Sequence, residues 1–413
     1  MSQVLNAERS AIVAPDLLSP AFKANPYPFY ARLRAEAPAF PVTVHVPDKR
    51  TGWLVTRYAD VVTTLKDPRL VKNRRAAVGG EQRRLAWVPS FVRPLERNML
   101  DLDPPDHTRL RSLVHKAFTP KLIDQLRGRI EALCTELLDK AQAKGSFDLM
   151  REIALPLPAT VIADLLGVPA TDQGKFHAWS SRIVAASSPR AFMLAMPSVW
   201  LFLRYMRGLL VRRRADPRDD LISALLQAEE AGDQLSQDEL LAMVFILLIA
   251  GHETTVNLIG SGTLALLDNP DQLQRLRAEP GVIRPAVEEL LRFTSPVEVA
   301  TERYASEPIV IGDTEIPRGG LLLAVTGSAN HDEQQFARPD QLDIGREPNP
   351  HVAFGQGAHY CLGAPLARLE GQIAFTSLVQ RFPRLRLAAS RAALRWRPGL
   401  FVRGLRALPV TVG

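Results

Sequence analysis

Between about Pro105 and Pro280 apolar residues recur three and four positions apart, with breaks at Pro or Gly. That spacing predicts a succession of amphipathic helices. One of them is unusually long. "SQDE" at 236–239 places Ser236 three residues before Glu239, a capping-box pattern. The helical pattern behind it continues to "LLDNP", ending near Asp268. At 1.5 Å per residue such a helix is roughly 45 Å long. The ends of the chain follow another pattern. "PAFPVTVHV" and "TGWLVTRY" are β-rich runs separated by the turn-like "PDKR", which predicts a hairpin. Beyond residue 300 short strand-like runs return, followed by a helix at about 364–381 and a β-rich tail. The expected fold class is mainly α, with a helical body over about 100–300. A smaller β region comes from both chain ends, about 38–60 and 305–413.

No Gly/Ser-rich linker, repeat or low-complexity tract divides the 413 residues, so the expectation is a single domain over 1–413. The N-terminus has no apolar run behind a basic flank, hence no signal peptide. The apolar run "LLAMVFILLIAG" at 240–251 is too short to span a bilayer and reads as a core helix. With only Cys134 and Cys361, a disulfide is not expected, and a cytoplasmic location without membrane association is. The net charge of +7 changes the picture little. The basic cluster "KNRRAAVGGEQRR" lacks aromatic interleaving, so an acidic protein or anionic ligand fits it better than nucleic acid.

The chemistry concentrates in "FGQGAHYCLG", residues 354–363, where a cysteine lies among three glycines and a histidine. A lone cysteine is commonly a small buried hydrophobe. A local zinc motif needs a second nearby Cys, and none exists. A Cys–His nucleophile with His359 or His351 is possible, although nothing in the spacing activates it. The third reading is a single thiolate bound axially to haem iron, with Gly355, Gly357 and Gly363 making room for a flat macrocycle. Elsewhere, "AGHETT" (250–255) puts two threonines and a glycine inside the long helix, a poor choice for helix propensity alone. Ala250 and Thr254 there share a face with Met243 and Leu247.

Phe354, Gly357, His359, Cys361 and Gly363 resemble the haem-binding signature of the cytochrome P-450 family, and the likeness extends in order over nearly the whole chain. The resemblance implies that family's fold, with a long central helix over a buried haem b whose iron is held by Cys361. It places Phe354 and Gly355 beside the haem, Thr254 next to bound dioxygen and Glu253 in proton delivery. It puts His107 and Arg111 of "DPPDHTRLRSLVHKAF", together with Arg303 and His359, on the haem propionates. In "EELLRF", the pair Glu289–Arg292 is expected to be buried and to brace the segment leading to the cysteine. The family's third member, an Arg in "RPDQLDIGR", is matched by Gln341, so the sequence supports the pair and not the triad. His351, Cys134 and His115 are read as structural, and His252 as an incidental surface or packing residue.

The implied activity is a monooxygenase that hydroxylates or epoxidises a hydrophobic small molecule with O2. The candidates are a macrolide or other polyketide-type secondary metabolite, a fatty acid, a terpenoid or a steroid. Its electrons would come from a ferredoxin and ferredoxin reductase, docking near Arg109 and Lys116. By the same resemblance the substrate wall draws on Trp87, Met243, Leu247, Ala250, Val297, Val299, Phe401 and Val402. Arg83, Arg84 and Arg93 raise an acidic substrate as an option. The rival functions are a non-catalytic haem-binding module on the same fold and a hydrolase with Cys361 as nucleophile. A peroxide-driven enzyme is a rival within the class; the presence of both Thr254 and Glu253 speaks against it and against the non-catalytic module.

Overall fold

The computed structural model describes residues 12–44, 50–79, 89, 91–96, 98–184, 189–230 and 233–412. The chain divides into two units, one formed by Met1–Gln82, Asn257–Cys361 and Arg384–Thr411, the other by Arg83–Val256, Leu362–Pro383 and Val412–Gly413.

The first unit is built on a five-stranded sheet. The hairpin expected at the N-terminal end is present: Ala39–Val44 pairs antiparallel with Arg50–Val55, and the intervening turn lies outside the described residues. Arg50–Val55 then pairs parallel with Leu321–Ala324, which pairs antiparallel with Arg303–Ala305, followed by Leu70–Val71 at the edge. The central strand reads "LLLA" because both of its faces are covered. Leu321 and Leu323 join Tyr30, Leu33 and Phe40 on one side. Leu322 and Ala324 join Val61, Leu65 and Ile316 on the other, as the two-residue period of a strand requires.

The second unit is helical. Pro120–Gln142 starts at Thr119, whose hydroxyl accepts from the Leu122 N–H at 3.2 Å, with Pro120 in the first turn where no N–H is needed. This helix packs against Pro156–Leu165 and Ala364–Arg381. Cys134 is buried in it, and burial pushes its thiol pKa up, in keeping with a structural residue.

The long helix runs Gln237–Asp268, as the pattern predicts. Its start is a reciprocal capping box: the Ser236 N–H donates to Glu239 Oε2 at 2.8 Å and the Glu239 N–H to Ser236 Oγ at 3.3 Å. The twelve-residue apolar run is only part of a helix that is long and apolar enough to cross a membrane. Leu240, Leu241, Val244, Leu248, Val256 and Leu258 of this helix are buried inside the protein.

Candidate functional site: the cysteine loop and the threonine face

Cys361 closes its own loop. Its N–H donates to the Phe354 carbonyl at 2.9 Å, and the thiol-bearing residue is half-buried. Gly357 is required here twice over. Its φ is +71°, and an added Cβ would come within 2.7 Å of the Leu65 carbonyl oxygen at the end of helix Tyr58–Lys66. Gly355 also has φ +71°, but a Cβ there would meet only the His359 carbonyl, at 4.0 Å, so that side of the loop is open. Phe354 stacks edgewise near Tyr360, and His359 sits half-buried in a single 3-10 turn, Gly357–His359. The loop therefore presents one soft sulfur donor beside an open, glycine-lined backbone. That donor set suits a flat macrocycle bound through an axial thiolate.

The loop is held from behind by a charged core. Glu289 and Arg292 of helix Ile283–Thr294 are fully buried, with Arg292 Nε and Nη2 donating to the two Glu289 oxygens at 2.7 and 2.8 Å. The triad is complete after all. Arg346, the last residue of "RPDQLDIGR", donates from Nε to Glu289 at 3.0 and 3.1 Å. Gln341 supplies only its backbone carbonyl, to Arg346 Nη2 at 3.1 Å, and its side chain is exposed. From Arg292 the bracing passes on through Asn330. Arg292 Nη1 donates to the Asn330 carbonyl at 2.7 Å, and Asn330 Oδ1 accepts from the Val352 N–H at 2.8 Å, two residues before Phe354. His351 is tied to Glu288 at 2.9 Å, which fits the structural role expected of it.

In the helical unit, Thr254 Oγ1 donates to the Ala250 carbonyl at 2.7 Å and Thr255 Oγ1 to the Gly251 carbonyl at 3.2 Å. A hydroxyl whose proton is committed to its own helix offers lone pairs outward, so Thr254 presents an acceptor. Gly251 has its own reason: a Cβ there would meet Ile162 Cδ1 at 3.0 Å. Ala250 is exposed, Leu247, Glu253 and Thr254 are half-buried, and Met243 is 2% exposed. His252 is buried, a packing residue. His107 and Arg111 lie one turn apart on helix Asp106–Ala117, His107 buried and Arg111 half-buried.

Arg303 is buried in the sheet, with Nη1 on the carbonyls of Thr301 and Glu302, each at 3.3 Å. Val297 and Val402 form an antiparallel bridge. Phe401 accepts through its carbonyl from Glu298 N–H at 2.8 Å and Val299 N–H at 3.1 Å. Trp87, Arg83 and Arg84 lie outside the described residues.

Two arginines carry ion pairs within the protein. Arg109, read as a docking cation, is already engaged within the protein, on Asp233 at 3.0 Å and on Glu239. Lys116 is exposed. Arg213, between Arg212 and Arg214, is 6% exposed and ion-paired with Asp220 at 2.5 Å.

The fold is mainly helical, with a small β region and a long helix, and its half-buried Cys361 lies in a glycine-rich loop. The comparisons place it further. The Cytochrome P-450 family model matches residues 211–388. Cytochrome P-450 107B1 of Saccharopolyspora erythraea is 47% identical over 97% of this chain and 98% of its own. The polyketide biosynthesis cytochrome P-450 PksS of Bacillus subtilis is 43% identical over 95% of this chain and 96% of its own. Its solved structure superposes with a TM-score of 0.90 at 41% identity, covering 97% of this chain and 100% of that one. A vitamin D(3) 25-hydroxylase of Pseudonocardia autotrophica is 46% identical over 96% of both chains. The chain belongs to the cytochrome P-450 family and is a monooxygenase of the oxidoreductase class.

Proposed function

We propose that the chain binds haem b through Cys361 and oxidises a hydrophobic small molecule of the polyketide or macrolide kind. Fatty acids, terpenoids and steroids fall in the same range. The observation that carries the site assignment is the loop itself: a half-buried thiol closed by its N–H on Phe354, beside the open backbone at Gly355. Bound there, the haem supplies one-electron and dioxygen chemistry. The chain supplies the rest. His107, Arg111, Arg303 and His359 are cationic or hydrogen-bonding partners for the two propionate carboxylates. The Thr254 hydroxyl, its proton held by the Ala250 carbonyl, accepts a hydrogen bond from a protonated group at the helix face. Glu253, next to it, moves protons to that position. Leu247, Ala250, Val297, Val299, Phe401 and Val402 are proposed as the apolar wall, with Met243 and Trp87. The relatives named for polyketide biosynthesis and for vitamin D(3) hydroxylation support a bulky apolar substrate.

Electrons come from a small acidic ferredoxin and its reductase in the cytoplasm. Lys116, exposed on helix Asp106–Ala117, and Arg109, which is paired with Asp233 and Glu239, are the docking cations proposed on this face. The test is spectroscopic. Reduced holoprotein with CO shows the red-shifted Soret band of thiolate ligation, and Cys361→His loses it together with activity while Cys134→Ser keeps both. A thiolate spectrum in Cys361→His refutes the assignment. Ligand-induced Soret shifts across polyketides, fatty acids and steroids then identify the substrate class.

A further inference from the structure

Beneath the segments 296–299 and 400–403 lies a polar cluster that the reaction does not use. Lys23, Tyr30, Glu298 and Arg403 are 0%, 2%, 1% and 6% exposed. Glu298 Oε1 takes Lys23 Nζ at 3.0 Å and also accepts from the Tyr30 hydroxyl. Lys23 Nζ donates in addition to the Leu400 carbonyl at 3.2 Å. Arg403 adds a second tie. Its Nε donates to the Lys23 carbonyl at 2.8 Å, its N–H to the Pro296 carbonyl at 3.0 Å, and its guanidinium lies 4.0 Å from the Trp396 ring centroid. Burial lowers the Lys23 pKa and raises that of Tyr30, so Tyr30 remains a donor at neutral pH.

Such a cluster is an expensive way to gain stability. A buried ion pair is often no better than apolar residues of the same volume, because desolvation offsets the attraction. What ionic hydrogen bonds add is direction. Together the hydrogen bonds named here join backbone or side chains of three separated stretches, 20–30, 296–299 and 400–403. Two of those stretches also carry Val297, Val299, Phe401 and Val402, held to each other by the Val297–Val402 bridge and the Phe401 carbonyl. Glu298 Oε2 has no hydrogen-bond partner among the described residues, so the carboxylate is oriented entirely through Oε1 and its two donors.

We infer that Glu298, with Lys23 and Tyr30, is a positioning device that sets where the wall formed by 297–299 and 401–402 stands. The N-terminal stretch thereby determines which bulky ligands the enzyme accepts, although it contributes none of the proposed wall residues. This rests on the proposed assignment of those four residues to the substrate wall. Loss of the carboxylate lets the two segments relax apart without disturbing the Cys361 loop, which is braced separately through Glu289 and Arg292.

The experiment compares two azoles that bind haem iron, imidazole and the bulky apolar clotrimazole, by Soret titration of holoprotein. In Glu298→Gln the clotrimazole Kd rises about tenfold, while the imidazole Kd stays within about twofold, a selectivity change of roughly 1.4 kcal/mol. Tyr30→Phe, which keeps the ring and the Lys23 pair, moves the ratio in the same direction by about threefold. It serves as the readout if Glu298→Gln does not fold. A merely structural role would lower both affinities together through haem loss. An unchanged clotrimazole-to-imidazole ratio in folded Glu298→Gln, or in Tyr30→Phe should the former not fold, overturns the inference. A wild-type protein that binds neither azole overturns the haem-thiolate reading beneath it.

Discussion

The completed triad at Glu289 makes a sharp forecast, because it ranks three substitutions at and around one buried carboxylate. The Glu289 carboxylate accepts from Arg292 at 2.7 and 2.8 Å, from Arg346 at 3.0 and 3.1 Å, from the Asp343 N–H at 3.0 Å and from Asn349 Nδ2 at 3.2 Å. In Arg346→Met this carboxylate keeps Arg292 as its counter-charge and loses one charge-assisted contact, worth about 1.5–3 kcal/mol. In Glu289→Gln the fully buried Arg292 is left without a carboxylate, which costs about 3–5 kcal/mol. Gln341→Ala removes an exposed side chain and leaves the carbonyl that Arg346 uses, so its effect stays within about 0.5 kcal/mol.

Urea unfolding of the three haem-loaded variants, followed by far-UV circular dichroism and by the Soret band, measures the order through midpoint and slope. The Soret signal should fall at lower urea than the circular dichroism in Glu289→Gln, since the path from Arg292 through Asn330 to Val352 supports the cysteine loop. A Gln341→Ala cost equal to that of Arg346→Met would refute the reasoning. So would a Glu289→Gln cost below about 1 kcal/mol.

Three further outcomes follow from particular side chains. Thr254→Ala keeps haem and consumes reductant at a near-normal rate, while hydrogen peroxide replaces most of the product; full coupling measured as product per reductant would defeat the role given to its hydroxyl. Arg111→Ala retains less haem after gel filtration than Arg214→Ala, whose side chain is exposed, and equal retention would remove Arg111 from the propionate set. Glu370 is 2% exposed in helix Ala364–Arg381, and burial pushes its pKa up to about 8. Because the folded state holds this proton more tightly than the unfolded chain, its stabilising effect is complete below about pH 4.5 and is lost toward pH 8. The slope approaches about 1.4 kcal/mol per pH unit between those limits. The difference in stability between wild type and Glu370→Gln should therefore change by several kcal/mol between pH 5 and pH 8, read from unfolding midpoints; parallel curves would refute it.

What the sequence revealed and what it concealed divide along one physical line. Ser236 and Glu239 are legible because a capping box is made by residues three apart, and the helix behind them is propagated by the same local rule. The helix Ala364–Arg381 and the hairpin of Ala39–Val44 with Arg50–Val55 are legible for the same reason. Arg346 was in plain view as the end of "RPDQLDIGR", yet position in a motif pointed to Gln341. Only the path of the loop decides which side chain reaches a carboxylate 57 positions away. Arg213 sits among basic neighbours, and Asp220 with the Gly167 carbonyl takes it out of solvent. The ion pairs of Arg109 are hidden from the sequence because Asp233 and Glu239 lie on other elements. In each case the missing information is an ionic partner on another element, to which hydrophobic periodicity is blind. The Lys23–Glu298 pair extends the same point from accuracy to function. Lys23 would be assigned to solvent on composition alone, yet it is fully buried on a carboxylate 275 positions away. A substitution at Lys23 that looks like a harmless surface change is therefore expected to act on ligand choice, through the segments on which the proposed wall residues stand.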